Sequence, residues 1–451
     1  MSSEKYDVVI LGGGNAGMGV TVPTRAAGLS IAMVEMRDLG GTCPNRGCTP
    51  KKVLVAAAHA LHEIERAGEH CISVGPATLD WAALIAREKA MIWAIPERLG
   101  RLMSDRGVEV VRGQASFVGE HAVRVAERTL EAANIVIATG SKPRRLPIDG
   151  AEHMITSEEV LSDSAMPREV VFVGGGVIAL EFSHVYARAG AKVTILEALP
   201  HILGGMDADG VEQVRRESER IGITIHTDVK VERIEPTGDR FRLVFTKDGA
   251  ESTIAADRVV NGAGRVADVD KLDLDAGKVS HDRGRIAVDE YLRSASNQAV
   301  HVCGDALWTS PQLSPIATYE GRIVGKNIVE GPRHRPDYAS IPACVYTVPA
   351  FASVGLTEAK ARETGSKIKV RVNDMRDWLS AKTYAETVAW SKIIVEEATD
   401  RVLGAHLVGH AGEELIHIFD LAMKHGITAG ELSDVVYGFP TFSADIKSML
   451  G

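Results

Sequence analysis

The sequence predicts an α/β protein in which one structural unit, made of a strand, a glycine turn, a helix and a second strand ending in an acid, occurs twice. Three observations carry this: a glycine-rich turn after an apolar run near the amino terminus, a second such turn in the middle of the chain, and an acid equally far beyond each. The first unit opens with the apolar run Asp7–Leu11, passes through Gly12, Gly14 and Gly17, and enters an alanine-containing helical stretch. Glycines so spaced let the chain turn sharply and approach a pyrophosphate, whose charge is stabilised by the free N–H groups at the helix start. The next strand, Ile31–Val34, ends at Glu35, 23 residues beyond Gly12, where a carboxylate can accept hydrogen bonds from a ribose diol.

The second unit repeats the design with the strand Val170–Val173, then Gly174 and Gly176, Ala179 at the third place, and Glu197 23 residues beyond Gly174. One such motif is a weak signal. Two copies with every part in order argue against ligand-free turns and point to two Rossmann-like units that each bind a dinucleotide. Glu197 favours NADH over NADPH, because a carboxylate there repels the additional phosphate and no arginine stands near it in sequence. Two further apolar strands end in small residues, Ile135–Gly140 and Val259–Gly264, the latter followed by Arg265. His301–Asp305 reads as a short strand whose terminal acid can hold a sugar-like hydroxyl chain or simply close a turn.

A length of 451 residues allows about three domains. The formal charge of −9 disfavours a nucleic-acid partner, whose affinity depends on neutralised phosphates. No apolar run reaches the roughly 18 residues of a spanning helix, and the amino terminus enters a strand without a signal-peptide pattern, so a cytoplasmic protein with no membrane partner is expected. Five cysteines in so long a chain do not make the disulfide framework of a small secreted domain. Cys71, Cys303 and Cys344 stand alone and read as structural.

Cys43 and Cys48 are different. They lie in the run Gly40, Gly41, Thr42, Cys43, Pro44, Asn45, Arg46, Gly47, Cys48, Thr49, Pro50, Lys51, Lys52, just before an alanine-rich helical stretch. A sulfur near a helix amino terminus is favoured as thiolate, and four intervening residues with a glycine permit the close approach a bridge requires. A zinc site would want a second pair or closely spaced histidines, which the neighbourhood lacks; no metal ligands are assigned.

With these residues in view the chain resembles the pyridine nucleotide-disulfide oxidoreductase family, which includes glutathione reductase, dihydrolipoyl dehydrogenase and mercuric reductase. The likeness spans essentially the whole chain; its most specific element is the series from Gly40 to Lys52, and the Thr139-Gly140, Gly264-Arg265 and Gly304-Asp305 steps match in order. The resemblance implies an FAD-binding domain over residues 1–148 and 265–335, a nicotinamide nucleotide domain over 149–264, and an α+β dimerisation domain over 336–451. It further implies FAD contacts from Gly41, Thr42 and Asp305, an ion pair of Lys52 with Glu181 near the flavin, and a homodimer. The spacing of Leu415, Ile418, Phe419 and Ala422 gives a helix with an apolar face suited to a core or a subunit contact.

One departure stands out. The family's disulfide reductases carry a His-Pro-Thr step followed by a glutamate, and in the dimer this pair serves the partner's cysteines as acid and base. Here the corresponding residues are Phe439, Pro440, Thr441 and Ala444. Phenylalanine donates no proton, though its ring can exclude water; Tyr437 and Asp445 flank the gap as candidate donors. The resemblance therefore implies an enzyme that reduces a disulfide or other electrophilic small-molecule acceptor through Cys43 and Cys48. A metal ion, a quinone or a carbon electrophile is an alternative acceptor, and a flavin-binding docking subunit an alternative role. Mercury handling is disfavoured by the absence of a terminal cysteine pair, and carboxylation by Ala444, where the ketopropyl-coenzyme M carboxylating reductase supplies a histidine.

Overall fold

A computed structural model describes residues 3–451. The chain divides into two compact units: the first comprises the residues through Lys52, Ala86–Arg144 and Arg265–Asp337, and the second Val53–Ile85, Arg145–Gly264 and Tyr338–Gly451.

The first unit is built on a parallel sheet ordered Val108–Arg112, Ile31–Glu35, Glu4–Leu11, Arg128–Ile137, with Val300–Val302 pairing beyond the last and an antiparallel extension through Ala122–Val125 and Ala115–Gly119. Val8–Leu11 and Ile135–Ile137 are buried on both faces, which explains why these central strands read as unbroken apolar runs rather than alternating ones. His301 lies in the strand, but Gly304 and Asp305 lie in the 3₁₀ turn Gly304–Ala306 that follows it. Helix Asn15–Ala26 packs on helix Ser314–Glu330 through small residues. A Cβ on Gly321 would lie 2.1 Å from the Ala16 carbonyl oxygen, and one on Gly19 2.5 Å from that of Thr318, so only glycine permits this approach.

The second unit holds three sheets. A parallel sheet runs Thr224–His226, Lys192–Leu196, Glu169–Val173, Arg258–Asn261, and beside it Lys230–Thr237, Arg240–Lys247 and Ala250–Ala256 form an antiparallel meander. The third is antiparallel, ordered Ala343–Val345, Phe351–Gly355, Val402–Gly409, Ala389–Glu396, Ile368–Asp374, and helix Gly412–His425 packs on it. Leu415, Phe419 and Ala422 of that helix are buried in this core and Ile418 packs at its margin, so the apolar face serves the unit's own interior. Among the described residues no helix is long and apolar enough to cross a membrane.

Candidate active site

Strand Glu4–Leu11 delivers the chain to Gly12, whose φ of +114° and whose Cβ position, 2.3 Å from the Ala138 carbonyl oxygen, leave room for glycine alone. Gly17 is equally constrained by the Gly12 carbonyl oxygen, at 2.1 Å from its Cβ position. Gly14 precedes the first turn of helix Asn15–Ala26 and provides no side-chain cap, so the helix start keeps N–H groups for a ligand. The acid at the strand end braces this loop: Glu35 accepts hydrogen bonds from the N–H of Gly13 at 2.8 Å and of Arg37 at 2.6 Å. An ionised carboxylate has about four acceptor positions, so capacity for a diol remains.

The second unit reproduces the acid's two hydrogen bonds. Glu197 accepts from the N–H of Gly175 and, at 2.7 Å, from that of Leu199, while Gly174 has φ +102° and Gly176 leaves helix Val177–Arg188 without a side-chain cap. Ala179 is fully buried, and a Cβ on Gly262 would lie 2.9 Å from its methyl group, so the third place of the motif serves close packing of helix on strand.

The cysteine segment is tied to the first glycine loop. Gly40 donates to the Gly13 carbonyl at 2.8 Å, and Gly41, at φ +65°, lies so near Gly14 that a Cβ would sit 2.9 Å from its Cα. Asn45 donates to the carbonyls of Leu39 and Gly41, both at 2.9 Å, and holds the bend. Thr42 and Cys43 open the short helix Thr42–Arg46, and Cys48 opens the nineteen-residue helix Cys48–Arg66. Both cysteines are free thiols, and their sulfurs are hydrogen-bonded to each other. The bond from Cys48 holds Cys43 below the ordinary thiol range, with Ser314 and Asn15 also hydrogen-bonded to its sulfur, while the same bond and burial push Cys48 upward. Asn15 in turn donates to the Ser314 hydroxyl, a contact created by the close crossing of the two glycine-notched helices. Neither Asn15 nor Ser314 is singled out by the sequence, because 299 positions separate them.

Asp305 accepts a hydrogen bond from Ser141 at 2.8 Å, and Arg265 donates to the Ser141 hydroxyl at 2.9 Å. Burial raises the Asp305 carboxyl, against the opposing pull of Ser141 and Arg265. Its turn is clamped by Glu320, wholly buried, which accepts from the Gly304 N–H at 2.7 Å and the Ser310 hydroxyl at 2.6 Å. Glu320 does not stand out in the sequence, because its helix also carries Arg322, Lys326 and Glu330. Thr139, just before Gly140, has a buried hydroxyl with no hydrogen-bond partner among the described residues. A glycine cradle, an uncapped helix start and an orphaned hydroxyl in the same unit fit a bound dinucleotide such as FAD.

Lys52 is exposed on the cysteine helix, whereas Glu181 is buried in the second unit and accepts the Tyr346 N–H at 2.9 Å. Phe439 is 79% exposed. Tyr437 donates its hydroxyl to the Leu432 carbonyl at 3.1 Å, and Asp445 is paired with His410 Nε2 at 2.8 Å, so both flanking groups already have partners within the second unit. Among the described residues no cluster of histidine, cysteine and carboxylate side chains has the geometry of a metal site.

Comparison with known proteins agrees with this geometry. Residues 6–321 match the family described as pyridine nucleotide-disulphide oxidoreductase, and residues 341–450 match its dimerisation domain. The chain is 32% identical to dihydrolipoyl dehydrogenase of Chlorobaculum parvum over 459 residues, covering 99% of this chain and 96% of that one. It is 28% identical to mercuric reductase of Bacillus cereus, over 98% of this chain and 70% of the relative. Among solved structures, the Cu(II) complex of the HOCl-induced flavoprotein disulfide reductase RclA from Escherichia coli superposes with a TM-score of 0.88 at 28% identity, covering 99% of both chains. Two nucleotide cradles, a thiol pair joined to one of them, and family matches along nearly the whole length lead to one conclusion: the chain belongs to the pyridine nucleotide-disulphide oxidoreductase family and is a flavoprotein oxidoreductase with that family's dimerisation domain.

Proposed function

We propose that this enzyme uses NADH to reduce a small disulfide or a related thiol-reactive acceptor through Cys43 and Cys48, without a His–Glu proton-transfer pair. The observation that carries this reading is the hydrogen-bonded sulfur pair fastened to the glycine cradle of the first unit. FAD held by the first glycine cradle would supply the chemistry that links two-electron hydride donation by the reduced nicotinamide to the sulfur pair. The overall balance is NADH, one proton and a disulfide giving NAD⁺ and two thiols.

Cys43, the more acidic sulfur, attacks the acceptor disulfide and expels one thiolate; Cys48 then attacks Cys43, closing the internal disulfide and expelling the second. Cys48, at the start of the long helix, is the flavin-side sulfur of this scheme. Gly12, Gly14, Gly17, Glu35, Gly41, Thr42, Thr139, Gly140, Gly304 and Asp305 are assigned to FAD. Gly174, Gly176, Ala179, Glu197 and Gly264 are assigned to the nicotinamide nucleotide side and Arg265, bonded to Ser141 beside Asp305, to cofactor binding in the first unit, with Lys52 and Glu181 as the ion pair near the flavin. Because Phe439 and Ala444 supply no acid, a poor leaving thiolate departs unprotonated, at a cost of roughly a hundred- to ten-thousand-fold in rate. Acceptors with good leaving groups are accordingly favoured.

Cys43→Ser tests the scheme: NADH should still bleach the flavin, while NADH-dependent reduction of disulfides is abolished. An acceptor that the variant reduces at the native rate rules out the cysteine route. A metal-ion acceptor is the second reading, supported by two neighbouring free thiols and by the likeness to a mercuric reductase and to a reductase solved with Cu(II). Turnover with mercuric or cupric ion, in the absence of any disulfide, distinguishes it.

A further inference from the structure

The segment from Val435 to Asp445 carries Phe439 where the family places its histidine, and it is bonded internally at Thr441 and to the rest of its unit at Tyr437 and Asp445. Tyr437 donates to Leu432, Thr441 donates to the Gly438 carbonyl at 2.6 Å, and the Ala444 N–H donates to the Thr441 hydroxyl at 3.2 Å. The strongest fastening is at Asp445. One of its carboxylate oxygens accepts both from His410 Nε2, at 2.8 Å, and from the Ser380 hydroxyl. The His410 ring is buried, meets Phe442 edge-on with ring centres 4.5 Å apart, and Phe442 leans on Tyr384 at 5.1 Å. The backbone is bent to deliver this imidazole: His410 and Ala411 are successive non-glycine residues in the left-handed region, at φ +57° and +51°.

Against this immobilised base, Val436 and Phe439 stand 93% and 79% exposed. An unfastened segment would reduce its exposed apolar area by collapsing onto the neighbouring surface, so the fastenings hold these side chains out. We propose that His410 and Asp445 are positioning residues for acceptor reduction, fixing Phe439 where its ring forms a wall for the acceptor beside the cysteines of a second subunit. The proposal rests on the functional reading above and deepens it. His410 does not meet the acceptor, since its ring is buried and its Nε2 is committed to Asp445.

The test uses the full-length FAD-loaded enzyme, NADH, and 5,5′-dithiobis(2-nitrobenzoate), a disulfide whose departing thiolate needs no proton. His410→Phe and Asp445→Ala should raise KM and lower kcat/KM for this acceptor about tenfold, the scale on which a small misplacement acts. The rate of flavin reduction by NADH should not change. Asp445→Asn, which keeps an acceptor oxygen, should recover most of the loss. In a Phe439→Ala background His410→Phe should cost nothing further, because the effect passes through Phe439. Native kcat/KM in both single variants, or an undiminished loss in the Phe439→Ala background, overturns the proposal. If His410→Phe does not fold, Asp445→Ala against Asp445→Asn in the two backgrounds makes the same comparison. A wild-type enzyme that leaves the acceptor unreduced refutes the functional reading, and the positioning role with it, before any variant is compared.

Discussion

Gly12 shows how much one position can decide. Its φ of +114° and the carbonyl oxygen 2.3 Å from its Cβ position mean that Gly12→Ala must move the backbone of the cradle, at a cost of about 1–3 kcal/mol. The variant should lose FAD on gel filtration and melt at a lower temperature; retention of stoichiometric FAD at the native Tm would contradict the cradle assignment. Glu197 permits a sharper experiment. If its carboxylate disfavours the additional phosphate, Glu197→Ser should raise kcat/KM for NADPH relative to NADH by about tenfold, as expected for removing a like-charge contact. An unchanged ratio of the two nucleotides would place discrimination elsewhere.

At the level of elements, the helices Asn15–Ala26 and Ser314–Glu330 do more than cover a sheet. Their close crossing brings Asn15 to Ser314 beneath the Cys43 sulfur, and Glu320 on the second helix holds the turn that presents Asp305. Glu320→Ala would leave the buried Gly304 N–H without its acceptor, at a cost of about 1–3 kcal/mol, and would leave the Ser310 hydroxyl to the Pro311 carbonyl at 3.3 Å. The expected result is a lower Tm and weaker FAD retention with the cysteine thiols still titratable by a thiol reagent. Loss of thiol reactivity with FAD retained would show that Glu320 acts on the cysteine segment instead.

For the molecule as a whole, stability should depend on pH through histidines buried in neutral form. Burial, with Arg188 nearby, lowers His62 and His184 to about 3. His184 accepts the Val348 N–H on Nδ1 at 3.1 Å and faces the Ser218 hydroxyl with Nε2 at 2.9 Å, so the neutral ring is the one the fold uses. A folded pKa below the unfolded value means that unfolded protein binds more protons between the two. Stability from these groups is therefore complete above about pH 6.5 and falls as pH drops toward 3, by about 1.4 kcal/mol per pH unit for each. Denaturant unfolding between pH 6.5 and 4.5 should show this slope, and His62→Gln should reduce it by one proton; an unaltered slope would mean that His62 takes up its proton without unfolding. What the sequence alone determined was local in the chain: both glycine turns, the acids 23 residues beyond them and the cysteine spacing, because tight turns and helix starts depend mostly on neighbouring residues, although the end of the strand at His301 was not legible in the same way. Only the tertiary structure decided which distant side chains complete the site. Asn15 and Ser314 come together across 299 positions, His410 and Asp445 across 35, and Glu320 and Gly304 across 16, in each case by the packing of one element on another, and no spacing in a linear sequence encodes that approach.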